Sequence, residues 1–169
     1  MDNSKKFQSV NAENCHNSPV FQKTLARLEA LLNANSNKRV VVLGTTCSGK
    51  TTLLKYISSA VDMDKLIFPL LNKEEAEYVC QEPWTEEIGK TMNRFVREKI
   101  KVQAGTPVFG TVLMDCDLVV YLKLDDNLLL SRTASRGVSF NDAKNMQAQI
   151  ESEILKSGID CTEFLMDEA

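Results

Sequence analysis

The chain has 169 residues, of which 43% are hydrophobic and 25% are charged, and this composition is typical of one globular domain with its own core. Its formal net charge of −3 argues against non-specific nucleic-acid binding, which needs many basic contacts with phosphates. Five widely spaced cysteines and the single histidine, His16, argue against a disulfide framework, a zinc site or a histidine-based cluster. Without a signal-peptide pattern or a long apolar run, we expect a cytoplasmic protein that binds neither membranes nor nucleic acid.

The first 38 residues predict a flexible, polar lead-in and then an amphipathic helix. Ser18 and Pro19 are typical of a helix start, with serine as the N-cap and proline at the first helical position. Between residues 20 and 33, apolar residues recur every three or four positions, as expected for one buried stripe; they are Phe21, Leu25, Leu28 and Leu32. We therefore divide the chain into residues 1–38 and a main domain at 39–169.

From residue 39 onward, predicted strands and helices alternate along the chain. A β-branched run at 39–43 predicts a strand buried on both faces, and residues 51–60 predict the helix that follows it. The second strand lies either at 61–64 or at 78–80, and the sequence leaves both open. The remaining predicted elements, in chain order, are a helix at 85–103, strands at 108–112 and 118–122, helices at 128–135 and 141–157, and a last strand at 159–165. This alternation indicates an α/β fold with a mostly parallel sheet.

The most specific motif follows the first predicted strand and matches the pattern G-x-x-x-x-G-K-[ST] at every fixed position. It consists of Gly44, Thr45, Thr46, Cys47, Ser48, Gly49, Lys50 and Thr51. The glycines let the backbone fold around a phosphate chain so that successive N–H groups point inward. Lys50 can then reach the β- and γ-phosphates, and the Thr51 hydroxyl can ligate Mg²⁺. The motif predicts binding of ATP with Mg²⁺, with Thr52 as a further nucleotide contact.

Two stretches of the chain resemble the small P-loop kinases, the group that holds nucleoside-monophosphate, shikimate and gluconate kinases. One is the loop with its flanks at 39–57, and the other is the strand and helix at 117–136. The resemblance implies a three-layer P-loop NTPase fold with an N-terminal helical extension. In that family the second stretch opens a lid over ATP, so Arg132 would pack against adenine and Arg136 would contact the transferring phosphates. Their spacing also places both guanidinium groups on one helix face.

Two acidic positions are candidates for the acceptor and metal site. Shikimate- and gluconate-type kinases hold an acidic pair near Mg²⁺ or the acceptor hydroxyl, and Asp62 and Asp64 match that place, which makes Asp64 a candidate catalytic and metal-binding residue. Thymidylate and deoxynucleoside kinases carry a Glu-Pro pair after their second strand, and Glu82 is followed by Pro83 here. The sequence does not decide between Asp64 and Glu82.

Three further residues are candidate acceptor contacts. Trp84 can stack on a base or a sugar, and Arg94 and Arg97 lie on the helix that follows it, from which related kinases bind an anionic acceptor.

Asp125 and Asp126 follow an apolar strand as a metal-binding aspartate does, but a helix cap fits their position better.

The sequence therefore predicts a kinase that moves the γ-phosphoryl group of Mg·ATP to a small-molecule acceptor, with nucleosides and nucleotides among the candidates. The alternative is a nucleotide-binding regulatory or assembly protein that acts through a partner. In that case the apolar stripe of the N-terminal helix would dock the partner.

Overall fold

The computed structural model of the protein describes residues 18–83 and 85–166. The predicted lead-in up to residue 17, including His16, lies outside the described residues, as does Trp84. The helices are α1 (Pro19–Ala34), α2 (Lys50–Leu54), α3 (Met63–Ile67), which continues into a 3₁₀ turn at Phe68–Leu70, α4 (Lys73–Val79), α5 (Glu86–Lys99), α6 (Asp126–Arg136) and α7 (Phe140–Ser157). The strands are β1 (Val40–Leu43), β2 (Val61–Asp62), β3 (Val108–Gly110), β4 (Leu118–Lys123) and β5 (Asp160–Leu165).

The five strands form one sheet in the order β2-β3-β1-β4-β5, and every neighbouring pair is parallel. Side chains of β1 alternate between two hydrophobic cores: Val40 and Val42 face one, and Val41 and Leu43 face the other. Helices α1, α2 and α6 cover the first face, α3, α4 and α5 cover the second, and α7 contributes to both. The expected α/β fold with a parallel sheet is therefore confirmed, with helices on both faces.

Helix α1 forms as the sequence predicts. The Ser18 hydroxyl accepts a hydrogen bond from the Phe21 amide at 3.0 Å, which caps the helix, and the apolar stripe is buried. Leu28, at the centre of that stripe, is fully buried and packs in the same core as β1. The N-terminal helix is thus part of the core that covers the sheet.

Two helices are shorter in the structure than the sequence predicts. Helix α2 ends at Leu54 rather than at residue 60, because the backbone changes to three-residue turns in which the Tyr56 amide donates to the Leu53 carbonyl. The predicted helix at 85–103 ends at Lys99, and Ile100 leaves the helix with extended dihedral angles while remaining buried.

The structure also decides two alternatives that the sequence left open. The second strand is Val61–Asp62, and the next residues enter α3 because the Asp62 carboxylate accepts a hydrogen bond from the Asp64 amide at 2.9 Å. The other candidate, residues 78–80, lies at the end of α4. Asp125 caps α6, since its Oδ1 accepts from the Leu128 amide at 2.7 Å, as the cap interpretation predicted.

Within the described residues, no helix is long and apolar enough to cross a membrane.

Candidate functional site

The glycine-rich loop (Gly44–Thr51) begins at the carboxyl end of β1, the central strand of the sheet. The Gly44 amide donates to the Gly110 carbonyl at the end of β3 at 3.2 Å, which ties the loop to the neighbouring strand. A Cβ atom at Gly44 would lie 2.5 Å from the Ser48 hydroxyl oxygen, so a larger residue here would force Ser48 to move within this tight loop. The loop is therefore built at the sheet edge where ligands of open α/β sheets bind.

Gly49 joins the loop to α2 in a left-handed conformation, with φ of +94°. As the N-cap residue it carries no side chain that could accept hydrogen bonds from the first turn of the helix. The amides of Lys50, Thr51 and Thr52 occupy that turn, where α-helical N–H groups have no partner within the helix. Together with the loop, these amide donors suit an anionic group.

Lys50 folds back over the loop. Its Nζ donates to the carbonyl oxygens of Gly44 and Thr45 at 2.6 and 2.8 Å, and to the Ser48 hydroxyl at 3.1 Å. Burial lowers the pKa of Lys50 to about 8, although the negative charges of Asp64 and Asp62 oppose this change. The ammonium is thus held by neutral oxygens in a place where it could exchange them for phosphate oxygens.

Two arginines of α6 lie beside the loop. Arg132 Nη1 donates to the Cys47 carbonyl oxygen at 3.3 Å, and Cys47 is buried with φ of +65°. Arg132, Arg136 and Lys50 line the same cavity of about 1010 Å³. The structure therefore brings together the loop, its lysine and both arginines of the predicted site.

The same cavity has walls that the sequence did not reveal. Phe21 of α1 lines it, with its ring edge-on to Tyr56 at a centroid distance of 5.5 Å, and Met166 lies at the end of β5. Helix α7 also reaches the loop, where the Thr46 amide donates to the Met146 sulfur at 3.4 Å and the Thr45 hydroxyl donates to the Ala143 carbonyl at 3.1 Å. These contacts join segments about 100 residues apart, and no local sequence pattern carries such a signal.

Asp62 is the last residue of β2, the edge strand beyond β3, and Asp64 lies in the first turn of α3. Asp64 is exposed, yet partial desolvation raises the pKa of its carboxyl group; the charge of Asp62 adds to this rise, and the charge of Lys50 opposes it. Among the described residues, no three His, Cys, Asp or Glu side chains form a metal-binding group. A Mg²⁺ ion here would need ligands from the bound phosphates, together with the Thr51 hydroxyl and the Asp64 carboxylate.

Among the described acceptor candidates, Glu82, Arg94 and Arg97 are not residues that line the cavity. Glu82 is exposed and follows helix α4 rather than a strand, so its predicted position after the second strand is wrong. Arg94 and Arg97 are exposed on α5 and are not among the residues that line the cavity; the Arg94 guanidinium lies 5.4 Å from the centre of the Phe95 ring. Trp84 lies outside the described residues.

Comparison of the chain with protein-family models gave no match, and comparison with curated proteins gave none either. The assignment of function therefore depends on the residues of the site themselves. Their common features are a loop with backbone donors, the cationic side chains of Lys50, Arg132 and Arg136, and a cavity that opens onto all of them.

Proposed function

We propose that the protein is a Mg·ATP-dependent phosphotransferase of the small P-loop kinase type, with the three-layer fold of P-loop NTPases. The observation that carries the proposal is the position of Lys50, Arg132 and Arg136 on one cavity around the glycine-rich loop. Catalysis of phosphoryl transfer depends mainly on positioning and on stabilising the negative charge of the phosphoryl oxygens. Three cations beside a loop of backbone donors are suited to both tasks.

Each residue has a distinct part in this mechanism. The amides of the loop and of the first turn of α2 bind the phosphate chain, and Lys50 leaves the Gly44 and Thr45 carbonyls to pair with β- and γ-phosphate oxygens. Arg136 stabilises the charge that the transferring phosphoryl group carries in the transition state. Arg132, anchored at the Cys47 carbonyl, packs against the base.

The residues present also fit a Mg²⁺ ion. The first turn of α2 places Thr51 on the cavity wall; Asp64 is not a lining residue of the cavity, but it lies close enough to Lys50 for their charges to affect each other's pKa. Both are oxygen donors of the kind that Mg²⁺ prefers, and the ion commonly keeps few protein ligands when it binds with phosphates. When bound, the ion would supply neutralisation of phosphate charge.

The strand order of the sheet also supports a nucleotide site at the glycine-rich loop. The chain leaves β1 toward β2 on one side of the sheet and later returns through β3 to β4 on the other side of β1. In open α/β sheets, ligands bind outside the carboxyl ends of strands where connections diverge in this way. The glycine-rich loop occupies that place.

The alternative was a regulatory or assembly protein that binds a partner through the stripe of α1. Phe21, Leu25, Leu28 and Leu32 are all buried in the protein's own core, so they are not available to a partner.

The test is ADP formation from Mg·ATP, measured against a panel of nucleosides, nucleoside monophosphates, sugars and sugar acids. We expect ADP formation that depends on one acceptor class and is abolished in Lys50→Ala. Lys101→Ala removes an exposed lysine from the loop after α5 and serves as the control. Tight ATP binding without acceptor-dependent ADP formation across the panel would contradict the proposal.

A further inference from the structure

A second, smaller cleft of about 110 Å³ lies beside the main cavity. Its walls come from α5, from the residues after β3 and from α7, and they include Asn93, Thr111, Met146, Gln149 and Glu153. Thr111 and Met146 line both the cleft and the main cavity. These two residues therefore form the boundary between them.

Both boundary residues are tied to the glycine-rich loop. Thr111 directly follows Gly110, whose carbonyl accepts from the Gly44 amide at 3.2 Å, and the Met146 sulfur accepts from the Thr46 amide at 3.4 Å. Lys50 Nζ binds the Gly44 carbonyl, so the ammonium lies at this same end of the loop. A molecule in the cleft would thus have one end at the boundary with the cavity that Lys50 lines.

The polar lining of the cleft is neutral apart from one negative charge. Asn93 and Gln149 supply amides and Thr111 a hydroxyl, while Glu153 supplies a carboxylate that accepts from Gln149 Nε2 at 3.5 Å. Within the described residues, no lysine or arginine lines this cleft. A phosphate monoester would therefore be placed beside Glu153 without a cation to offset the repulsion, whereas hydroxyl groups can donate to the carboxylate and to the amide oxygens.

We propose, on the basis of the kinase function argued above, that this cleft is the acceptor subsite and that it selects an uncharged, hydroxyl-bearing group. Its volume equals that of about four water molecules, at about 30 Å³ each, which suits the end of a sugar or nucleoside. The acceptor oxygen forms a bond to the γ-phosphorus while the bond from that phosphorus to the bridging oxygen breaks. The electron pair of that bond leaves with ADP, and the hydroxyl proton passes to water.

The test compares matched pairs of acceptors, each a nucleoside or sugar and its own monophosphate, at saturating Mg·ATP. We expect kcat/KM to be higher for the uncharged member of the preferred pair by about tenfold or more, because the discrimination arises from an uncompensated charge. Preference for the monophosphate would overturn the acceptor inference and leave the kinase function intact. If neither member of any pair supports ADP formation, the proposed function itself fails, and the inference fails with it.

Two variants at position 153 separate recognition from folding. Glu153→Lys should shift the ratio of the two kcat/KM values toward the monophosphate by about tenfold or more, mainly through KM, and leave the KM for ATP unchanged. Glu153→Gln keeps the size of the side chain but removes its charge, and it should reduce the preference for the uncharged acceptor less than Glu153→Lys does. Glu98→Lys makes the same charge change on an exposed position of α5 and should leave the ratio unaltered. An unaltered ratio in Glu153→Lys would overturn the inference.

Discussion

The Lys50 ammonium donates a hydrogen bond to the carbonyl oxygen of Gly44 at 2.6 Å, which joins the last part of the glycine-rich loop to its first residue. Carbonyl oxygens carry only partial charge, so they compensate incompletely for the solvation that the ammonium loses on burial. This is the physical reason why the pKa of Lys50 is lowered to about 8, and it gives the site a measurable pH dependence.

Nucleotide affinity should be nearly constant just below pH 8 and should fall above it. Below pH 8, Lys50 is protonated in both the free and the bound protein; above it, the free protein loses the proton, while bound phosphates hold the pKa higher. Binding then requires uptake of one proton, and affinity falls by about tenfold per pH unit until the pKa of the bound state is reached. Calorimetry of ATP binding between pH 7 and 10 measures the affinity, and its repetition in buffers of different ionisation enthalpy measures the number of protons taken up.

Lys50→Arg is the matched variant for this pH dependence. Arginine keeps the positive charge and does not deprotonate in this range, so the decline in affinity above pH 8 should disappear. ATP should still bind Lys50→Arg, but more weakly than it binds the unchanged protein at pH 7. The other titratable groups that affect the pKa of Lys50 are Asp62, Asp64, Cys47 and Arg136. An unchanged decline in Lys50→Arg would assign the titration to another group and contradict the role of Lys50.

Arg136→Ala should lower kcat more than it weakens ATP binding. Its expected contact is with the transferring phosphoryl group, whose charge distribution changes in the transition state, so we expect a loss of about 10²-fold or more in kcat. Arg132→Ala should instead raise the Kd for ATP, because Arg132 lies on the cavity wall and is anchored to the loop through the Cys47 carbonyl. Equal losses of binding and turnover in Arg136→Ala would count against its assigned role.

The sequence alone was sufficient where local chemistry determines the structure. The burial of Val40 to Leu43 follows from an unbroken β-branched run, and the caps Ser18 and Asp125 follow from side chains that accept hydrogen bonds from helix amides. The presence of Lys50, Arg132 and Arg136 on one cavity agrees with the motif and with the helical spacing of the two arginines. The predictions for Val40 to Leu43, Ser18 and Asp125 depend on neighbours within about one helical turn or strand, whereas the meeting of Lys50 with the two arginines was expected from the resemblance to small P-loop kinases.

The sequence was insufficient where distant segments decide the outcome. Glu82 matched a two-residue pattern, but the second strand had already ended at Asp62, so Glu82 follows a helix. Phe21 and Met146 reach the site through packing of α1 and α7 against the sheet, which no local periodicity encodes. The chain that follows the early end of α2 likewise meets a distant segment, since the Val61 amide donates to the Pro107 carbonyl at 2.9 Å.

Removal of residues 1–38 should leave a protein that aggregates, because α1 fills the core on one face of the sheet. Leu28→Ala measures the same contribution in the full chain and should lower the free energy of unfolding by about 2–5 kcal/mol. Leu28 is fully buried, whereas Leu155 is 84% exposed, so Leu155→Ala should change stability by no more than about 0.5 kcal/mol. Urea unfolding of both variants provides the comparison; a soluble, cooperatively folded protein without residues 1–38 would show that α1 is dispensable.

Gly49→Ala should impair both stability and nucleotide binding. The residue has φ of +94°, where an alanine costs about 1–2 kcal/mol, and its Cβ would lie 3.3 Å from Arg132 Nη1, so that the guanidinium must shift. Gly158→Ala is the matched control, since Gly158 has φ of +69° at the end of α7 and no heavy atom within 4 Å of the added Cβ. Both variants should lose similar stability, but only Gly49→Ala should also raise the Kd for ATP. An equal effect of the two variants on Kd would mean that the loop acts through global stability and would count against its role as a phosphate-binding site.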